Sequence, residues 1–166
     1  MLGLSLLFIG AVLLVNAQSL YGRIAARECA PFNLLVGLLA LGVNTLAIVR
    51  ATDNPALLAA AGGLLFAFTY LYLSVVQWWS LDGGGFGWYC LFVAMNTLVF
   101  AWLSVNQKAW LLTVLWLAWG CLWLMFFIAQ GLKRDLGRAL PHMTLLAGIF
   151  TCWLPGILML TGNWPD

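Results

Sequence analysis

Residues 110–132 read WLLTVLWLAWGCLWLMFFIAQGL, and this stretch decides the fold. It contains no Asp, Glu, Lys, Arg or His. The hydrocarbon core of a bilayer is about 30 Å thick, and a helix of about 20 mostly apolar residues crosses it. The stretch therefore predicts a transmembrane helix.

Five further apolar runs account for most of the remaining chain: residues 2–20, 32–49, 55–79, 87–104 and 143–161. Backbone groups in hydrocarbon must satisfy their own hydrogen bonds, and the short alternating segments of a membrane β-barrel are not seen, so these runs predict helices. The 166-residue chain is 64% hydrophobic and 7% charged, which leaves too little polar surface for a water-soluble domain. We predict an all-α integral membrane protein with six transmembrane helices in three antiparallel hairpins, forming a single domain over residues 1–166.

The composition argues against several classes of function. A net charge of +2, spread along the chain, gives no reason to expect a nucleic-acid partner. The four cysteines include no Cys-x-x-Cys pair and the chain has one histidine, so we expect no metal and no cofactor. No ionisable Asp, Glu, Lys, Arg or His is predicted in the middle of a helix, which argues against an ion channel, an ion-coupled pump and an enzyme.

The basic residues predict the orientation in the membrane. Loops one and five carry Arg23, Arg27, Lys133, Arg134 and Arg138, whereas loops two and four carry only Arg50 and Lys108. Basic residues concentrate on the cytoplasmic side of membrane proteins. We therefore expect loops one, three and five in the cytoplasm and both termini outside it.

Aromatic residues form the pattern most suggestive of function. Trp116, Trp119 and Trp123 follow an i, i+3, i+7 spacing near the centre of the fifth helix, so they share one face. Stripes on two other helices could face them: Leu2, Leu6, Ile9, Leu13 and Asn16 on the first, and Phe66, Tyr70, Ser74 and Gln77 on the third. Two interpretations stay open, an ordinary packed bundle and a lined path. A path with such walls would suit a planar neutral amide and would reject a hydrated ion.

Several segments carry a resemblance to a known family. They are MLGL at residues 1–4 with Asn16, LLFAFTYL at 64–71, GWYCLFV at 87–93, WLAW at 116–119 with LW at 122–123, and IFTCWLP at 149–155. In these segments the sequence resembles the bacterial AmiS/UreI family, which joins acid-activated urea channels to short-chain amide transporters. The segments occur in order over nearly the whole chain.

The resemblance implies a pore inside each protomer, a homo-hexamer whose centre is filled by membrane lipid, and a location in the bacterial cytoplasmic (inner) membrane. It also implies which residues line the pore: Leu2, Leu6, Ile9, Leu13, Phe66, Tyr70, Trp116, Trp119, Leu122 and Trp123. All of these except Leu122 also lie on the stripes found from spacing.

Two departures from the family pattern bear on gating. Acid-activated members carry long extracellular loops with histidines, whereas loops two and four are short here and contain none. Those members also carry a glutamate in helix six where this chain has Ala147. We predict a passive channel for urea or short-chain aliphatic amides that is not opened by acid. The alternatives are a proton-coupled amide carrier and a structural membrane protein that transports nothing.

Overall fold

The computed structural model describes residues 2–165 of the chain. Its helices are α1 (Leu2–Leu20), α2 (Ala26–Val49), α3 (Asn54–Trp78), α4 (Gly84–Asn106), α5 (Trp110–Gly131) and α6 (Ala139–Leu160). All six are long and apolar enough to cross a bilayer, and residues 2–165 contain no strand. The prediction of an all-α protein with six membrane-spanning helices is confirmed.

Several helices begin earlier than the apolar runs indicate. α2 begins at Ala26 instead of residue 32, and its first turn carries the exposed Arg27 and Glu28. α4 and α6 likewise begin at Gly84 and Ala139 instead of residues 87 and 143. An apolar run marks only the part of a helix in hydrocarbon, while the helix itself continues into the polar interface.

The six helices form a closed bundle. Each helix packs against the next along the chain, and α1 packs along α6 to close the ring. The three most extensive pairs are α1 with α6, α2 with α3 and α4 with α5. Glycines allow that closure, since a Cβ on Gly10 would lie 2.7 Å from Cβ of Trp153 and one on Gly156 would lie 2.7 Å from the Leu7 nitrogen. Small residues of this kind let membrane helices approach closely.

Two helices contain a wider π-helical turn. α5 ends in one at Phe127–Gly131, and α6 contains one at Ala147–Trp153. Pro155 follows the second segment and has no N–H to donate into the preceding turn. Such segments inside α-helices are frequent at functional sites. The segment in α6 faces both α1 and α5.

Loops three and five are joined at one end of the bundle. The Lys133 Nζ donates a hydrogen bond to the Asp82 carbonyl oxygen and lies 4.0 Å from its carboxylate Oδ2. Asp82 Oδ1 also accepts from the Gly84 N–H at 2.9 Å, and Gly83 has a φ of +75°. Glycine tolerates that left-handed conformation without strain, so the chain turns tightly into α4.

Candidate transport path

Three cavities follow one another through the bundle. A vestibule of about 680 Å³ lies on the side of loops two and four, and we call it the first vestibule. A central gap of about 30 Å³ lies between α1, α3, α5 and α6, with Phe86 of α4 also on its wall. A second vestibule of about 300 Å³ lies on the side of loops one and three. Phe66 borders both the first vestibule and the central gap, whereas Asn16, Leu73, Phe86 and Phe126 border both the gap and the second vestibule.

The first vestibule is polar at its rim and apolar inside. Arg50, Asn54 and Gln107 surround its entrance at loops two and four. Its wall down to Phe66 and Trp116 consists mostly of aliphatic side chains of α1 to α5, with the polar side chains of Ser5, Asn44 and Ser104 among them. A solute that enters therefore loses most of its polar neighbours before it reaches the aromatic rings.

The central gap is narrow and uncharged. Its volume of about 30 Å³ would hold about two water molecules. The lining residues are Leu13, Asn16, Phe66, Thr69, Tyr70, Leu73, Phe86, Trp119, Leu122, Trp123, Phe126 and Cys152. This set contains no Asp, Glu, Lys, Arg or His, so nothing in it compensates a permeating ion for its lost hydration.

Phe66 lies at the centre of an aromatic cluster. Its ring centroid is 4.9 Å from that of Trp119 and 4.7 Å from that of Trp123, both in edge-to-face geometry. The third indole, Trp116, is 6.0 Å away and stacks on Phe100 at 4.5 Å. Trp116, Trp119 and Trp123 of α5 thus meet a single ring of α3. This contact separates the first vestibule from the central gap.

The Trp119 indole is fixed by a hydrogen bond to α6. Its Nε1–H donates to the Thr151 hydroxyl at 3.0 Å, and that hydroxyl donates in turn to the Ala147 carbonyl at 2.6 Å. Thr151 and Ala147 both belong to the π-helical segment of α6. The wider turn thus presents the hydroxyl that orients the indole.

Replacing Thr151 with valine should loosen this indole, because valine keeps the shape of threonine and removes the acceptor. An unsatisfied buried donor costs about 1 to 3 kcal/mol, so we expect a lower melting temperature in detergent and a changed solute selectivity. Thr161→Val is the matched control, since the exposed Thr161 hydroxyl bonds only to backbone carbonyls of its own helix and to Asn163. Equal behaviour of the two variants would contradict a role for Thr151 in holding Trp119.

All the residues predicted from the sequence border one of the first two cavities. Leu2, Leu6, Ile9, Phe66 and Trp116 line the first vestibule, and Leu13, Asn16, Phe66, Tyr70, Trp119, Leu122 and Trp123 line the central gap. Tyr70 is buried, and its hydroxyl forms no hydrogen bond with any residue of the described part. The hydroxyl therefore remains open to a solute.

Sequence reasoning missed several residues of the path. Leu73, Phe86 and Phe126 separate the gap from the second vestibule, and Thr69 and Cys152 complete the wall of the gap. Thr69 and Cys152 lie inside segments 64–71 and 149–155, but an apolar stretch does not reveal which of its positions face inward. Asn33, which was also missed, borders none of the three cavities but is completely buried and bonds to Asn16. An amide near the start of an apolar run was a signal that could have drawn attention to it.

The fold and this row of cavities define a polytopic α-helical membrane transport protein. The sequence profile described as AmiS/UreI family transporter matches residues 1–163. The chain belongs to the AmiS/UreI family. This confirms the resemblance found in the sequence.

Individual relatives and solved structures agree with this membership. A Mycolicibacterium smegmatis protein described as an amidate substrates transporter is 38% identical over 98% of this chain and 78% of its own length. The acid-activated urea channel of Helicobacter pylori strain J99 is 33% identical over 99% of this chain and 100% of its own length. The crystal structure of the urea channel from Helicobacter pylori is similar, with a TM-score of 0.90 at 35% identity over 99% of this chain and 100% of that one.

Proposed function

We propose that this protein is a passive channel through which urea and short-chain aliphatic amides diffuse across the bacterial cytoplasmic membrane. The observation that carries the proposal is the row of three cavities, in which an uncharged aromatic gap separates two wider vestibules. The printed descriptions of the relatives, a urea channel and an amidate substrates transporter, point to the same class of solute. The path belongs to a single domain over residues 1–166.

The chemistry of the gap suits a small planar amide. Such a solute can pass between the faces of Phe66, Trp119 and Trp123 while its N–H groups point at the π-clouds. The open Tyr70 hydroxyl and the Asn16 carboxamide are the polar groups it meets on the way. An ion would lose its water shell against these walls without replacement, which costs far more.

Equilibration of urea and acetamide in proteoliposomes tests the proposal. Vesicles with the protein should equilibrate either solute faster than empty vesicles, and an uncoupler should leave the rate unchanged. A rate that collapses with the uncoupler would favour a proton-coupled amide carrier. If permeability to small neutral solutes stays at that of empty vesicles, the aromatic stripes serve helix packing alone and the protein has a structural role.

The orientation and the assembly are parts of the same proposal. Five basic residues lie in or next to loops one and five, against two on the other side, so the second vestibule faces the cytoplasm and both termini lie outside it. We also propose a homo-hexamer around a lipid-filled centre, with one path in each protomer. Native mass spectrometry of the protein in detergent should give six chains, and a monomer alone would contradict this assembly.

The amide flux should not depend on external acid. Loops two and four contain no histidine, and Ala147 on α6 carries no titratable group. The Helicobacter pylori urea channel aligns over 195 residues, whereas this chain has 166, so part of that channel has no counterpart here. We expect equal urea permeability at external pH 5 and pH 7.5. A steep rise on acidification would show that some other group opens the path.

A further inference from the structure

Three carboxamide side chains from three helices meet between the central gap and the second vestibule. Asn16 of α1 and Asn33 of α2 exchange two hydrogen bonds, of 2.9 Å from the Asn16 Nδ2 and 2.8 Å from the Asn33 Nδ2. Asn33 Nδ2 also donates to Gln77 Oε1 of α3 at 2.9 Å and to the Cys29 carbonyl at 3.0 Å. We call Asn16, Asn33 and Gln77 the amide cluster.

The bonds within the amide cluster are unevenly divided. Asn33 has 0% of its surface exposed, and its two N–H groups are shared among three acceptors. Asn16 uses one N–H on Asn33, and the Gln77 amide nitrogen makes one long contact of 3.4 Å with Asn16 Oδ1. Each of these two residues therefore keeps one N–H without an acceptor in the described part of the chain.

The two unused donors belong to residues on the path. Asn16 borders both the central gap and the second vestibule, and Gln77 borders the second vestibule. Asn33 borders none of the three cavities. Its part is to fix both carboxamides: it accepts one N–H of Asn16 and donates to the carboxamide oxygens of Asn16 and Gln77. The second N–H of Asn16 and the Gln77 nitrogen make no bond to Asn33.

We propose that Asn16 and Gln77 form a subsite that binds the carbonyl oxygen of the permeating amide, with Asn33 as the positioning residue. This inference rests on the proposed channel function. A carbonyl oxygen has two lone pairs and can accept from both N–H groups at once. The subsite lies where the solute exchanges water for the dry gap, so its donors replace the hydrogen bonds that the carbonyl loses there.

The subsite predicts a selectivity between two amides that the width of the central gap alone does not predict. Acetamide and thioacetamide have the same planar shape and the same amide N–H groups, but the sulfur of thioacetamide is a weak hydrogen-bond acceptor. Aromatic walls treat the two solutes alike apart from the size of sulfur. Donors at the subsite favour acetamide. Loss of one neutral hydrogen bond corresponds to about a fivefold change in rate or affinity.

The test compares acetamide and thioacetamide permeability in proteoliposomes containing the wild type or Gln77→Met. Methionine matches the length of glutamine and removes its donors. We expect the acetamide to thioacetamide ratio to fall by about fivefold. Gln130→Met is the matched control, because Gln130 also borders the second vestibule and makes no bond to the amide cluster. Its ratio should equal that of the wild type.

A second variant separates recognition from structural support. Gln77→Glu keeps an oxygen that can accept from Asn33 and removes the N–H groups, so its ratio should fall in the same way. The variants could instead show an unchanged acetamide to thioacetamide ratio, a lower melting temperature and equally slowed fluxes of both solutes. That result would overturn the subsite and show that the amide cluster only connects the three helices. Equal permeability of the two solutes in the wild type would also overturn it. If the acetamide permeability of wild-type vesicles equals that of empty vesicles, the proposed channel function itself is wrong.

Discussion

Replacing Phe66 with alanine should widen the path and raise permeability to solutes larger than acetamide, such as butyramide and glycerol, by about tenfold, the change given by lowering a barrier by about 1.4 kcal/mol. The reason is that the Phe66 ring alone borders both the first vestibule and the central gap. It touches Trp119 and Trp123 at centroid distances of 4.9 and 4.7 Å. Removing it joins the two spaces and removes the ring that a solute must pass.

The experiment has a matched control on the same helix. Phe68 is 46% exposed on the outer surface of the bundle, so Phe68→Ala should leave both flux and selectivity as they are. Phe66→Ala should also lower stability, because burying an alanine in place of a phenylalanine costs about 3 to 5 kcal/mol. Stopped-flow light scattering of proteoliposomes measures the permeabilities. Unchanged glycerol and butyramide permeability in a folded Phe66→Ala protein would place the path elsewhere.

Replacing Leu13 with tryptophan should have the opposite effect and close the path. Leu13 is buried and lines the central gap, whose volume is about 30 Å³, less than the added ring requires. We expect urea and acetamide permeability to fall to the level of empty vesicles, at least about tenfold for a barrier raised by 1.4 kcal/mol. Overpacking of this kind costs about 1 to 3 kcal/mol of stability.

The control for this variant is Leu4→Trp. Leu4 lies on the same helix, with 37% of its surface exposed, and borders none of the three cavities. A tryptophan there should leave the flux intact. A folded Leu13→Trp protein that still transports urea at the wild-type rate would show that the central gap is not used.

The fold could be predicted from the sequence because a helix that crosses a bilayer needs about 20 mostly apolar residues. Uncharged runs such as residues 110–132 have no soluble alternative, and α5 indeed covers Trp110–Gly131. Helix starts were less accurate, since Arg27 and Glu28 in the first turn of α2 look like a loop in a hydropathy profile. The closure of α1 on α6 depends on Gly10 and Gly156 meeting partners far along the chain. Spacing within one helix does not contain that information.

Part of the path could be predicted from the sequence for a similar reason. Trp116, Trp119 and Trp123 share a face because of helical periodicity alone, and all three contact Phe66. Thr151 was not singled out, because its role comes from a π-helical turn and from an indole on another helix.

The amide cluster is the clearest example of a site that the sequence alone does not predict. Asn16 was found from its stripe on α1, but its partner Asn33 is 17 positions away on another helix. Which of several polar residues in apolar helices meet depends on how the helices rotate about their axes. Packing of the whole bundle sets that rotation, and no local pattern records it.

The central claim is that the rings of Phe66, Trp119 and Trp123 face a gap that a solute can cross. A high-resolution map of the protein in lipid nanodiscs at high acetamide concentration tests this most directly. We expect one continuous passage through both vestibules, with solute density between these rings and Leu122. Rings packed tightly on every side in every state, with no passage from one leaflet to the other, would contradict it.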